Sequence, residues 1–135
     1  MHIAVYSPDR NERYELSRLV DDILLRQGVL PEISMFPMLP ELLVASELNS
    51  PPFGLIILSF AGNTSAIKGL CRRTAVIMIG QKSDGPDAFE VGAEYFLESP
   101  IDKGELVKAV RRCSHSSRTH FFMRSNDPLK DRLQN

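Results

Sequence analysis

The stretch Leu55-Ile56-Ile57-Leu58-Ser59-Phe60 decides the fold of this chain. Four consecutive large aliphatic residues, with no polar alternation, describe a short strand covered on both faces, as in the middle of a parallel sheet. Ala75-Val76-Ile77-Met78-Ile79 repeats the pattern, and Ile3-Ala4-Val5-Tyr6 shows it at the start of the chain. Between and around these strands the period changes to that of helices. Asp9 and Glu12 resemble a capping box. Leu16, Leu19, Val20, Ile23 and Leu24 then form one apolar stripe that Gly28 ends. Glu32 to Phe36 alternates and reads as a second strand near an edge. Pro37 and Pro40 bound a turn, and Glu41 to Leu48 is a helix with Leu42, Leu43 and Val44 available for packing. Asn49-Ser50-Pro51-Pro52 breaks it.

Beyond the deciding strand, the spacing predicts a thin third helix over Ser65 to Arg72, with Ala66, Ile67 and Leu70 as its apolar residues. Lys82 to Pro86 reads as a loop. Asp87 to Gly92 reads as a short helix whose glycine suits a left-handed end. Tyr95-Phe96-Leu97 is a fifth strand. Asp102 and Glu105 repeat the capping-box pattern before a helix carrying Leu106, Ala109, Val110 and Cys113 on one face. Five β-α units in succession predict an α/β fold: a five-stranded parallel sheet, doubly wound, with helices on both sides. The expected domain is 1–113. Residues 114–135 read as a linker or tail, or as the start of an output domain, with Phe121-Phe122-Met123 as one candidate strand.

Composition sets the bounds. The 135 residues carry a formal net charge of −1, with 43% hydrophobic and 24% charged residues. This is ordinary for one soluble domain with enough chain to bury a core. The charge balance excludes a chain-wide basic surface for nucleic acid. No apolar run approaches the ~18 residues of a membrane span, and the N-terminus reads as a strand rather than a secretory signal. A cytoplasmic location without membrane attachment is the expectation. Cys71 and Cys113 stand far apart without metal-ligand spacing, so reduced thiols are expected. His115, His120 and Cys113 likewise make no recognised ligand pattern, and no metal or cofactor is expected. Arg111, Arg112, Arg118 and Arg124 read as a solvated, basic helix end.

In an open parallel sheet the functional site lies at the carboxyl ends of the strands. There the sequence places Ser7-Pro8-Asp9, Ser59-Phe60 and Gly80-Gln81: hydroxyls, a proline and a glycine, without a carboxylate cluster. The stretch Gly92-Ala93-Glu94-Tyr95-Phe96-Leu97-Glu98-Ser99-Pro100-Ile101 resembles the Gly-Ala, aromatic and Lys-Pro signature of response-regulator receiver domains. The resemblance covers about Met1 to Cys113. The long first helix, the Phe53-to-Leu58 segment and Ala88-to-Ala93 are most similar to receivers attached to LytTR-type DNA-binding domains. This resemblance implies a flavodoxin-like fold with strand order 2-1-3-4-5.

It also implies a chemistry. An active receiver accepts a phosphoryl group from a histidine kinase on an aspartate after its third strand. Two acids after the first strand help hold magnesium, and a hydroxyl and a lysine contact the phosphoryl group. In this sequence the acidic pair falls on Ser7 and Pro8, the acceptor on Ser59, the hydroxyl on Gly80 and the lysine on Ser99. Every one departs from the pattern, while Gly92, Ala93, Phe96 and Pro100 keep the framework. Phe96, at the position that couples phosphorylation to a rotamer change, is expected to be a fixed packing residue.

The expectation is a non-enzymatic pseudo-receiver of a bacterial signalling or transcription regulator, acting as a protein-interaction and dimerisation module. Its candidate dimer face sets Asp87, Glu90 and Glu94 against Lys103, Lys108 and Arg111. DNA would be reached only through an output domain. Two alternatives are an active regulator phosphorylated at an atypical site such as Asp9, and a small flavodoxin-like nucleotide or flavin binder. The second lacks a glycine-rich loop after the first strand.

Overall fold

The computed structural model describes residues 1–48, 53–60, 62 and 64–114. The strands are β1 (His2–Tyr6), β2 (Glu32–Phe36), β3 (Leu55–Ser59), β4 (Val76–Gly80) and β5 (Tyr95–Glu98). The helices are α1 (Arg10–Arg26), α2 (Leu39–Leu48), α3 (Thr64–Arg73), α4 (Gly85–Glu90) and α5 (Lys103–Ser114), with a 3-10 turn over Lys82–Asp84. All strand pairs are parallel, and the sheet order is β2-β1-β3-β4-β5. This is the expected doubly wound, flavodoxin-like arrangement.

Strand alternation divides the interior into two cores. Ile3, Val5, Leu55, Ile57, Ile77 and Ile79 face one side and pack with Leu16 and Val20 of α1 and Leu106 and Val110 of α5. Ala4, Tyr6, Ile56, Leu58, Val76 and Met78 face the other, against Leu42 of α2, Ile67 and Leu70 of α3, and Ala88 of α4. The deciding stretch, Leu55 to Leu58, is fully buried because it feeds both cores. Cys113 belongs to the first core and Cys71 to the second, so the sheet separates the two thiols.

The first helix ends as its sequence implies. Gly28 adopts φ 79°, its N–H donates to the Leu25 carbonyl, and the Val29 N–H donates to the Leu24 carbonyl. This pair of bonds satisfies carbonyls that the helix leaves open.

Several expectations need correction. Pro40 lies inside the first turn of α2, and Pro86 inside the first turn of α4. First-turn N–H groups have no intrahelical acceptor, so proline is tolerated there. Both helices therefore start earlier than a proline boundary suggests. Val44 is exposed on α2, while Leu42 is buried and Leu43 half-buried. α3 buries Ile67, Leu70 and Cys71, so the cysteine completes a stripe that looked thin. The capping-box readings hold only in part: Asp9 and Asp102 cap α1 and α5, but Glu12 and Glu105 bond elsewhere. The expected tail strand Phe121-Phe122-Met123, together with His115, His120, Arg118 and Arg124, lies outside the described residues.

Candidate functional site

Parallel register brings the expected site positions to one rim. Tyr6 pairs with Leu58, Ser59 with Ile79, and Gly80 with Glu98. Ser7, Ser59, Gly80 and Ser99 thus follow one another across the carboxyl edge of β1, β3, β4 and β5.

At β1, Ser7 is fully buried. Its hydroxyl donates to Glu12 Oε1 at 2.6 Å and accepts the Asp9 N–H at 3.1 Å. The Ser7 carbonyl accepts from Arg13 Nη1 at 2.7 Å. Pro8 is exposed and its side chain carries no ligand atom. Asp9 is also exposed, and its Oδ1 accepts the Asn11 N–H at 3.0 Å as the cap of α1. A buried hydroxyl is stable only when bonded, and here α1 supplies the partner. Asp9 is committed to capping, which weakens it as an atypical phosphorylation site.

At β3, Ser59 is half-buried, and the following Phe60 N–H donates to the Ile79 carbonyl at 2.8 Å. At β4, the Asp84 carboxylate folds back over Gly80 and accepts the Gln81 N–H at 2.8 Å. A Cβ built on Gly80 would stand 2.7 Å from Asp84 Oδ2 and 3.3 Å from its Cβ. The space that a threonine or serine would need is therefore filled. At β5, the Ser99 N–H donates to the Gly80 carbonyl at 2.8 Å, and the Ser99–Pro100 peptide is cis.

Phe96 is half-buried against the second core, beside Gly85, whose added Cβ would lie 3.6 Å from the ring. The ring also lines a cleft of about 420 Å³ with Lys82, Glu98 and Asp102.

The receiver pattern implies a magnesium ion at this rim, and the residues present do not fit it. Hard divalent cations need several oxygen ligands held together. Ser7 and the Glu12 oxygen it meets are bonded to each other, the Pro8 side chain offers no oxygen, and Asp9 caps a helix. Among the described residues, no group of three or more His, Cys, Asp or Glu could hold a metal ion. Residue-by-residue reading of the sequence missed Glu12, Arg13 and Asp84. Asp84 had a legible signal: it follows Gln81 by three residues, the spacing of a capping box, and the glycine before Gln81 leaves room for its carboxylate.

The candidate dimer-face residues border more than one groove. Asp87 and Glu90 line a groove with Thr64, Ser65 and Lys68 of α3. Lys103 and Arg111 line another with Asp22 and Arg26 of α1. Lys108 pairs with Glu105 on its own helix at 3.4 Å, with both side chains well exposed. Glu94 lies just before β5, where its N–H donates to the Val76 carbonyl.

Known structures share this architecture. The response regulatory domain of MrkE from Klebsiella pneumoniae superposes with a TM-score of 0.71 at 15% identity, covering 84% of this chain and 95% of that one. The fold is that of a response-regulator receiver domain. A receiver domain from Clostridium thermocellum gives a TM-score of 0.70 at 15% identity, over 84% of this chain and 93% of that one. A protein assigned to pilus assembly (CpaE) in Burkholderia thailandensis gives 0.69 at 17% identity, over 86% of this chain and 99% of that one. No family model matches the receiver-like sequence. No curated protein matches it either. No helix among the described residues is long and apolar enough to cross a membrane.

Proposed function

We propose that this chain is a pseudo-receiver: a receiver-fold interaction module that works without phosphorylation. The observation that carries the reading is the rim's internal bonding. Glu12 is spent on Ser7, and Asp84 occupies the space over Gly80. Phosphoryl transfer to a receiver needs a carboxylate nucleophile, a metal ion and positioned donors, and the five aligned positions hold three serines, a proline and a glycine. Among the described residues, no base hydrogen-bonds the Ser59 hydroxyl to activate it. The module is not an enzyme. It keeps one conformation and presents the surface of α4, β5 and α5 to a protein partner. Asp87, Glu90, Glu94, Lys103, Lys108 and Arg111 set the register of that contact more than its affinity.

The host is a bacterial signalling or transcription regulator, and a LytTR-type output domain would supply DNA contact. A second reading, a receiver-fold module of a pilus assembly apparatus, is favoured by the likeness to the Burkholderia protein, nearly all of which is covered. Deleting the gene separates the two: one reading expects altered transcript levels, the other loss of surface pili. The shared claim is tested by incubating the full chain with magnesium and a small acyl phosphate. Intact mass should stay constant. A labile phosphoryl adduct, on Asp9 or elsewhere, would overturn the proposal.

A further inference from the structure

β2 is the outermost strand on the side of the sheet opposite β5. Its backbone groups alternate in direction. The Glu32 N–H donates to the Met1 carbonyl at 2.8 Å, and the Phe36 carbonyl accepts the Ser7 N–H at 3.3 Å. Glu32, Ser34 and Phe36 therefore turn their amides and carbonyls toward β1. Ile33 and Met35, lying between them, turn theirs to the open edge. An edge of this kind is a template for another strand.

The sequence around this edge is symmetric about Ser34. Ile33 mirrors Met35, Pro31 mirrors Pro37, and Leu30 mirrors Met38. The unlike pair, Glu32 with Phe36, keeps two carboxylates from facing each other. We propose that β2 pairs antiparallel with β2 of a second copy, with Ser34 on the two-fold axis. Ile33 then stands opposite Met35 of the second copy. Both already point their backbone groups outward, so the two residues exchange both hydrogen bonds, and symmetry repeats the exchange.

Other registers are poorer on the same geometry. A slip of one residue opposes Ile33 to Ser34, whose groups are used by β1. A slip of two opposes Ile33 or Met35 to a proline just outside the strand, which can accept a bond but has no N–H to give. Only the symmetric alignment pairs both outward residues of β2 with outward residues that can donate and accept. Apolar surface also favours a second copy as the occupant. Met35 is 41% exposed, Met38 56% and Leu30 79%. In this alignment Met35 meets Ile33 across the ladder, and Leu30 and Met38, just beyond the strand ends, flank it with further apolar surface.

This contact is independent of the docking face proposed at β5 and of the phosphorylation question. Its test is the mass of the full chain against concentration, by sedimentation equilibrium. The expected result is a dimer that both Met35→Lys and Met35→Pro weaken at least tenfold, with unchanged far-UV circular dichroism. Met35→Pro removes an outward N–H that β1 does not use, together with the methionine side chain, and Met35→Lys decides the matter if the proline variant does not fold. Lys108→Glu, near the opposite edge, should leave the dimer intact. Ser34→Cys should form a covalent dimer by exchange with oxidised glutathione, releasing reduced glutathione, while the wild type with its buried Cys71 and Cys113 does not. A wild-type chain that stays monomeric into the millimolar range would overturn the proposal. So would a dimer broken by Lys108→Glu but not by Met35→Lys.

Discussion

At the scale of single residues, the rim shows how a pocket is closed by its neighbours. Gly80 and Asp84 form one unit: the glycine makes room, and the carboxylate uses the room to bond the Gln81 N–H. Asp84 meets the added Cβ with the end of a flexible side chain, so it can swing away and forfeit its bond. The expected outcome is coupling rather than collapse. Gly80→Thr should be about 1 kcal/mol less favourable in the wild type than in an Asp84→Ala background. A double-mutant cycle by urea denaturation checks this, and effects that simply add would refute it. The residues at the carboxyl ends of the strands were legible from the sequence. Their bonding was not, because Glu12 fits the spacing of a capping box and only three dimensions show it turning to Ser7 instead.

At the scale of elements, two glycines end helices with left-handed backbones. Gly28 has φ 79° with nothing within 4 Å of an added Cβ, whereas at Gly92, φ 104°, that atom would lie 3.2 Å from Cys71 Cβ. Gly28→Ala therefore meets a backbone cost alone, about 1–2 kcal/mol. Gly92→Ala meets a similar cost plus crowding against α3. Chemical denaturation should rank Gly92→Ala as the more damaging, and the reverse order would show that Cys71 moves aside freely. Element identity was readable because four-residue aliphatic runs and 3.6-period stripes are strong signals. Element starts were less so. Pro40 and Pro86 read as boundaries, yet each sits where a helix has an N–H to spare.

At the scale of the molecule, one sheet separates two cores that share strands but no helix. Leu70 of α3 and Leu106 of α5 are both fully buried, on opposite faces. Each truncation to alanine should cost about 2–5 kcal/mol. The double variant should equal their sum within about 0.5 kcal/mol, since they share no partners. Equilibrium denaturation measures this, and a larger discrepancy would mean that the sheet transmits strain between its faces. The topology was legible because repeated β-α units permit few parallel arrangements. Which groove each charged side chain borders was not, because that depends on how the helices pack in three dimensions.

The carboxylate over Gly80 also constrains descent. A chain that gained a hydroxyl there while keeping Asp84 would have to turn the carboxylate off the Gln81 N–H, at about 1 kcal/mol. Changes at the two positions are therefore expected to travel together, a larger side chain at one with the loss of the carboxylate at the other.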